Sequence, residues 1–191
     1  MLSFRGNGRR ANSILRLRLA GGGIALALAS AAALAGGAHR FVFTAYRDAA
    51  GGADVVAGRY RVALAELKSS PGATDLDPAA TNTNRCVAYS MSLQWPQARA
   101  SCDAAIQAAD AARTELPAWL SWTRSSSERV LALAYANRAV MYWLSNDAAA
   151  AREDLARAQY LAPQADFVAR NVAAFKVHGA VALAAAPAPK S

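Results

Sequence analysis

The sequence predicts an all-helical protein, and three observations carry that expectation. Alanine, the residue with the best intrinsic helix propensity, dominates the composition. Apolar residues recur at helical spacing through most of the chain from Asp54 onward. No alternating strand pattern competes with them.

Length and charge set the frame. The chain has 191 residues and a formal net charge of +8. Residues 1–38 hold five arginines (Arg5, Arg9, Arg10, Arg16 and Arg18) and no acid, leaving 16 basic and 13 acidic residues in the rest. The pI of 10.1 is therefore largely a property of the N-terminus. The remaining arginines are scattered among Asp and Glu, so the basic stripe expected of a nucleic-acid-binding surface is missing.

Residues 1–38 read as a secretory signal: a basic stretch ending at Arg18, an apolar run from Leu19 to about Leu34, then small residues. Ala33-Leu34-Ala35 and Gly36-Gly37-Ala38 are the candidate cleavage sites. The expected location is periplasmic or secreted. The alternative is an uncleaved anchor in the inner membrane facing the periplasm, since the run is near the lower length limit for a span. Residues 39–53 then read as a linker, Gly/Ala-rich from Ala49 to Ala53, and 54–180 as the helical domain. Residues 181–191 read as a disordered tail, Pro/Ala-rich from Ala185.

Within the domain, a first helix is expected from Asp54, its possible N-cap, to the break at Ser69-Ser70-Pro71-Gly72. Asp77-Pro78 suits a second helix running to about Leu93. Trp95-Pro96 breaks it, and a third runs to about Ala112. Residues 114–127 read as an interruption carrying Pro117, Trp119 and Trp122. Ser125 and Glu128 have capping-box spacing ahead of a long helix to Leu144. Asn146-Asp147 makes the next turn. A fifth helix ends at Pro163, and a sixth begins near Asp166.

Self-comparison exposes a repeat. Asn84-Arg85-Cys86-Val87-Ala88-Tyr89 matches Asn137-Arg138-Ala139-Val140-Met141-Tyr142, 53 residues later. A period of 34 plus a 19-residue insertion accounts for the offset, and Tyr60 lies 35 residues before Trp95. The period, with Tyr135, Ala139, Tyr142, Asn146, Ala151, Leu155, Ala158 and Pro163 in the best copy, resembles the tetratricopeptide repeat. The likeness covers roughly two-thirds of the chain beyond the leader. It implies a right-handed superhelix of about three helical hairpins, with the helix from Asp166 as a C-terminal cap. Small residues let the helices approach, and repeats stack because one hairpin cannot bury its own apolar face.

On the hairpin so drawn, Cys86 and Cys102 lie about equally far from the turn at Leu93-Gln94, side by side on facing helices. In an oxidising compartment that places them to form a disulfide; otherwise they are two buried small hydrophobes. No His or acid cluster accompanies them, so no metal is expected.

The resemblance also nominates a groove. Asn84, Asn137 and Asn171 share one register on successive first helices, where tetratricopeptide proteins that bind peptide C-termini use asparagines on the ligand backbone. The inner surface lined by Asn84, Val87, Asn137, Val140 and Asn171 is the candidate partner-binding groove, for a protein or peptide partner. The alternative is that these asparagines join helix to helix. The cationic positions one turn earlier are Ala80, Leu133 and Phe167, so a carboxylate clamp is not expected. Trp119 and Trp122 cover the hairpin junction or form part of a binding surface; Trp95 and Trp143 fit hairpin packing.

Catalytic signatures are missing. His39 and His178 are the only histidines, and no phosphate loop, HExxH or GxSxG occurs. Glu153-Asp154 reads as a solvated helix face. The chain is expected to be no enzyme and to need no cofactor or metal.

Overall fold

Pro78 at the start of a helix, with Asp77 before it, illustrates how local chemistry sets the element boundaries. The Asp77 carboxylate accepts a hydrogen bond from the Ala80 amide at 3.0 Å, and proline gives up no bond at a first-turn position. A computed structural model describes residues 40–69, 77–115 and 121–184. Those residues all fall in one unit of the chain, Gly36–Ser191. Seven helices and no strand occur among them: α1 Gly52–Val56, α2 Tyr60–Ser69, α3 Pro78–Met91, α4 Trp95–Thr114, α5 Ser121–Leu144, α6 Ala148–Leu161 and α7 Asp166–Ala184. The expectation of an all-helical protein is met. The leader, His39, Trp119 and residues 185–191 lie outside the described residues, as does the side chain of Trp122.

Three of the turns are the same object. At Gly58, Leu93 and Asn146 the backbone enters the left-handed region, with φ of 74°, 58° and 66°. Each closes its helix with two reversed bonds: Arg59 N to Asp54 O and Gly58 N to Val55 O, Gln94 N to Tyr89 O and Leu93 N to Ser90 O, Asp147 N to Tyr142 O and Asn146 N to Trp143 O. This satisfies carbonyls that a helix end would otherwise strand. The offsets between the three turns, 35 and 53 residues, are those of the sequence repeat. Asp147 then caps α6 through the Ala150 amide at 3.0 Å, as Asp77 caps α3.

Leu93 is the unfavourable member of the set, because a γ-branched residue is strained where Gly58 and Asn146 are not. Its side chain is 69% exposed and contributes little in return. Leu93→Gly is therefore expected to raise the unfolding free energy by roughly 0.5–1 kcal/mol. Urea denaturation checks this; a loss of stability would mean that the exposed side chain makes a contact of value.

The core between these helices is built largely on alanine. Ala63, Ala88, Ala98, Ala132, Ala158 and Ala174 are completely buried. Such small side chains let helix axes approach closely, and larger groups fill the spaces between them. Leu64 and Leu67 of α2 pack with Val87 of α3, Ile106 of α4 with Leu131 of α5, and Leu133 of α5 with Phe167 and Val168 of α7. The Cys86–Cys102 disulfide joins α3 to α4, with 4.7 Å between their Cα atoms. It sits in a cluster with Ala98 and Met141 and is covered by Trp95.

Several boundaries differ from the sequence reading. The single helix expected from Asp54 is two, because Ala57-Gly58 ends α1 before α2 begins. Asp54 is not an N-cap; it lies inside α1 and pairs with Arg59. Gly51, with φ of 66°, takes the cap position. The long helix starts at Ser121, so Ser125 and Glu128 are interior rather than a capping box. Ser127 there donates to the Arg124 carbonyl at 3.0 Å, a bond that leaves the helix intact. The last helix runs to Ala184, into the stretch expected to be a tail.

Glu153-Asp154 is not a solvated pair either. Glu153 is exposed, but Asp154 is 3% exposed and carries a buried ion pair. Arg138 grips both its oxygens, Nε to Oδ2 at 2.6 Å and Nη2 to Oδ1 at 2.8 Å. The same guanidinium reaches Asp103 Oδ1 at 2.6 Å and lies over the Tyr135 and Tyr142 rings. Burial disfavours its charge, but hydrogen bonds to Asp154 and Asp103 outweigh that and hold its pKa above the ordinary arginine value. Thus one side chain on α5 ties α4, α5 and α6 together. Arg85, its counterpart in the repeat, ties α3 to α2 through the Leu67 carbonyl at 3.0 Å.

Candidate functional site

Asn84 on α3, Asn137 on α5 and Asn171 on α7 are each buried to within 1% of completely. A buried carboxamide needs partners for its oxygen and its NH2 group. Here all three find them in one place, the chain's own residues 42–46. Asn171 Oδ1 accepts from the Val42 amide at 2.7 Å, and its Nδ2 donates to the Val42 carbonyl at 3.0 Å. Asn137 does the same to Thr44, at 2.9 and 2.7 Å. Asn84 does it to Tyr46, at 2.9 Å both ways, and also donates to the Ala50 carbonyl at 3.0 Å.

The rungs engage residues 42, 44 and 46. Both main-chain groups of alternate residues face the same way only when the backbone is extended, with a period of two. The segment therefore crosses α3, α5 and α7 in an extended conformation, held by side chains instead of by a neighbouring strand. This overturns two expectations. Residues 40–46 are not a free linker, and the asparagines do not join helix to helix.

Alternate side chains seat the segment. The Phe41 ring meets Trp143 and His178, with centroids 5.2 and 5.6 Å away, and Phe175 meets Trp143 edge-on at 5.1 Å. Trp143 thus packs against both this segment and α7. Phe43 packs on the disulfide cluster and on the core around Val87, which Ala45 also covers. Tyr46 packs on the cluster containing Leu133 and Phe167. Two of the positions that a carboxylate clamp would need as cations are thus spent on apolar contact with an internal residue.

Of the other nominated groove residues, Val87 lies beneath this segment and Val140 is buried, 1% exposed. Neither offers a polar group. Beyond Tyr46, Arg47 and Asp48 are exposed, and the chain turns back through Ala49 into α1. Gly52 permits that close turn: a Cβ there would lie 1.8 Å from the Tyr46 carbonyl oxygen, a steric overlap that no side chain could tolerate. Gly51 N donates to Glu66 Oε1 at 3.0 Å and fastens the turn to α2.

The Tyr46 phenol is pushed up from 10.0 to about 12, first by burial, then by the nearby Asp77 carboxylate, with Arg129 opposing. A folded-state pKa above the unfolded value means that folding favours the neutral phenol. That contribution is complete below pH 10 and is lost as pH climbs from 10 through 12. Wild-type chain should therefore lose more stability across this interval than Tyr46→Phe. Parallel denaturation curves of equal slope with pH would show the phenol to be solvated.

The sequence pointed to the asparagines but missed what they hold. Phe41-Val42-Phe43-Thr44-Ala45-Tyr46 is a run of aromatic and β-branched residues, the composition of a strand. That signal was available, though nothing local indicated its partners, 38 to 129 residues away.

Elsewhere, an open depression of about 650 Å3 lies between Asp110, Arg113, Tyr135, Arg157 and Tyr160. Arg113 is paired with Asp110 at 2.7 Å and Arg157 with Glu153, so the charges there are used by each other. Among the described residues, no group of three His, Cys, Asp or Glu side chains is placed to hold a metal. None of their helices is long and apolar enough to cross a membrane. No protein-family model, curated protein or solved structure matches this chain.

Proposed function

We propose that this chain is a non-enzymatic, tetratricopeptide-like scaffold that mediates protein–protein interaction in the bacterial cell envelope. Its concave face recognises an extended protein segment by its main chain. The observation that supports this is the asparagine ladder: three carboxamides on successive first helices, each pairing with both the N–H and the C=O of alternate residues. A helical stack needs no such device to hold itself together, whereas a groove that reads backbone does. The tetratricopeptide-like reading draws on the three identical turns at repeat spacing and on the buried Ala98/Ala151 and Ala105/Ala158 pairs. The envelope location draws on the leader-like residues 1–38 and on the Cys86–Cys102 disulfide.

A second reading, a membrane-tethered structural protein, is favoured by one feature. The first rung grips Val42, only a few residues beyond the leader. An uncleaved leader would hold the body close against the bilayer. Mass spectrometry of the mature N-terminus separates the two, since a start near residue 36 or 39 excludes the anchor.

The main proposal is tested by crosslinking in envelope extract. Wild-type chain is compared with an Asn137→Ala/Asn171→Ala variant whose helix content is verified by circular dichroism. Captured partners should disappear with the variant. An unchanged set of partners would end the groove proposal.

A further inference from the structure

The groove is already filled, and by a segment with unusual properties. Residues 41–46 are half-buried throughout, while the helices beneath them are fully buried at their contact faces. The segment contributes nothing to any helix. Its main chain is held by three side chains, and it is flanked by exposed residues on both sides, Arg40 before and Arg47-Asp48 after. Such an element, half-exposed along its length, outside every helix and ending at a solvent-exposed pivot, opens at lower free energy than the helical body that holds it.

The selectivity of the groove can be read from this occupant. The ladder bonds only to main chain, so it requires an N–H at three alternate positions and excludes proline there. Side-chain preference comes from the apolar seats: the Trp143 and His178 rings for Phe41, the disulfide cluster for Phe43, and the Leu133–Phe167 cluster for Tyr46. With Ala80, Leu133 and Phe167 at the clamp positions, nothing in the groove selects a chain end.

We propose that Phe41–Tyr46 is a built-in, exchangeable occupant of the groove. The partner to which it gives way is an uncharged, extended protein segment bearing aromatic side chains two residues apart. This rests on the peptide-groove reading above and adds to it the partner's chemistry and a means of regulation. Exchange proceeds by pivoting at Arg47-Asp48. Each carboxamide passes from the departing main chain to the incoming one, so the rungs are surrendered one at a time and no buried carboxamide stays unpaired.

The tether sets the threshold. A segment joined by a short linker acts at an effective concentration on the order of millimolar. An identical segment supplied in solution at about 10 μM would thus occupy roughly 1% of the grooves while the tether is intact. Occupation in trans requires either a tighter partner or removal of the tether.

The test uses the full chain with a protease recognition site inserted between Arg47 and Asp48. The probe is a fluorescein-labelled peptide of this chain's residues 40–46, Arg-Phe-Val-Phe-Thr-Ala-Tyr, followed by anisotropy at about 10 μM. After cleavage and removal of the freed segment, uptake of label should rise on the order of 100-fold over uncut protein. Asn137→Ala in the cut protein should abolish uptake. A probe with both phenylalanines replaced by alanine should bind at least tenfold more weakly.

Three results would overturn the inference. A cut segment that never leaves while the helices stay folded by circular dichroism is a fixed part of the core. An alanine probe that binds as well as the native one removes the aromatic preference. An uncut chain that pairs with itself on size exclusion by swapping this segment makes the occupant a second copy. The two proposals fail separately: exchange of the probe without asparagine-dependent crosslinks sinks only the envelope role, and the reverse outcome sinks only the exchangeable occupant.

Discussion

Asp154→Ala is expected to remove about 3–5 kcal/mol of stability, the cost of stranding a buried charge by taking away its partner. The Asp154 side chain is 4% exposed and that of Arg138 15%, so neither is well solvated. The pair is bidentate, the geometry in which an arginine and a carboxylate interact most strongly. After the substitution Arg138 keeps only Asp103, whose side chain is 38% exposed and whose pull is screened by water. The guanidinium would remain over the Tyr135 and Tyr142 rings with two of its three hydrogen bonds, from Nε and Nη2, lost. A domain of this size has roughly 5–15 kcal/mol in total, so the loss is a large fraction of it. Urea denaturation measures it directly, and a variant within 1 kcal/mol of wild type would refute it. Asp103→Asn should cost less than about 1 kcal/mol. An apolar double replacement, Arg138→Met with Asp154→Leu, should be far milder than either single change, because the penalty comes from the orphaned charge and not from the missing attraction.

How much of this was legible in the sequence depended on whether the signal was local. The all-helical class, the turns at Leu93 and Asn146, the Asp77-Pro78 helix start and the Cys86–Cys102 pairing were readable, because each rests on residues close in sequence or on one hairpin. The Gly58 break was missed because Val56, Tyr60, Ala63, Leu64 and Leu67 keep apolar spacing across it. Periodicity alone does not register a left-handed residue at φ of 74°. Asp154 was read as solvated because its neighbours Glu153 and Arg152 are ordinary surface residues. Its partner Arg138 lies 16 residues back, on another helix. The asparagine ladder was half legible. The repeat aligned the three asparagines, but their partners come from a stretch that looked like a spacer, up to 129 residues away. Side-chain to main-chain bonds over such distances leave no periodic trace, whereas a strand-like composition in Phe41–Tyr46 does and was the available clue.

Loss of the Cys86–Cys102 disulfide is expected to cost about 3 kcal/mol, because the loop it closes, with a sequence separation of 16, becomes free to expand in the unfolded chain. A Cys86→Ala/Cys102→Ala variant measures this by urea denaturation, and a cost under 1 kcal/mol would mean that the hairpin needs no covalent constraint. The position of the bond adds a second effect. Cys86, Cys102 and Met141 form the surface on which Phe43 rests, and Phe43 lies between the rungs at Val42 and Thr44. Loosening α3 against α4 should therefore weaken the seat of the groove segment as well as the hairpin. Amide exchange distinguishes the two contributions. If the disulfide acted only on the unfolded chain, the Thr44 amide would still open locally at its wild-type rate, since local opening does not pass through global unfolding. Faster exchange at Val42, Thr44 and Tyr46 in the variant, under conditions where the helical amides of α5 stay protected, is the outcome expected if the disulfide and the seating of residues 41–46 are coupled through Phe43. Unchanged exchange at those three amides would confine the disulfide to its role within the hairpin.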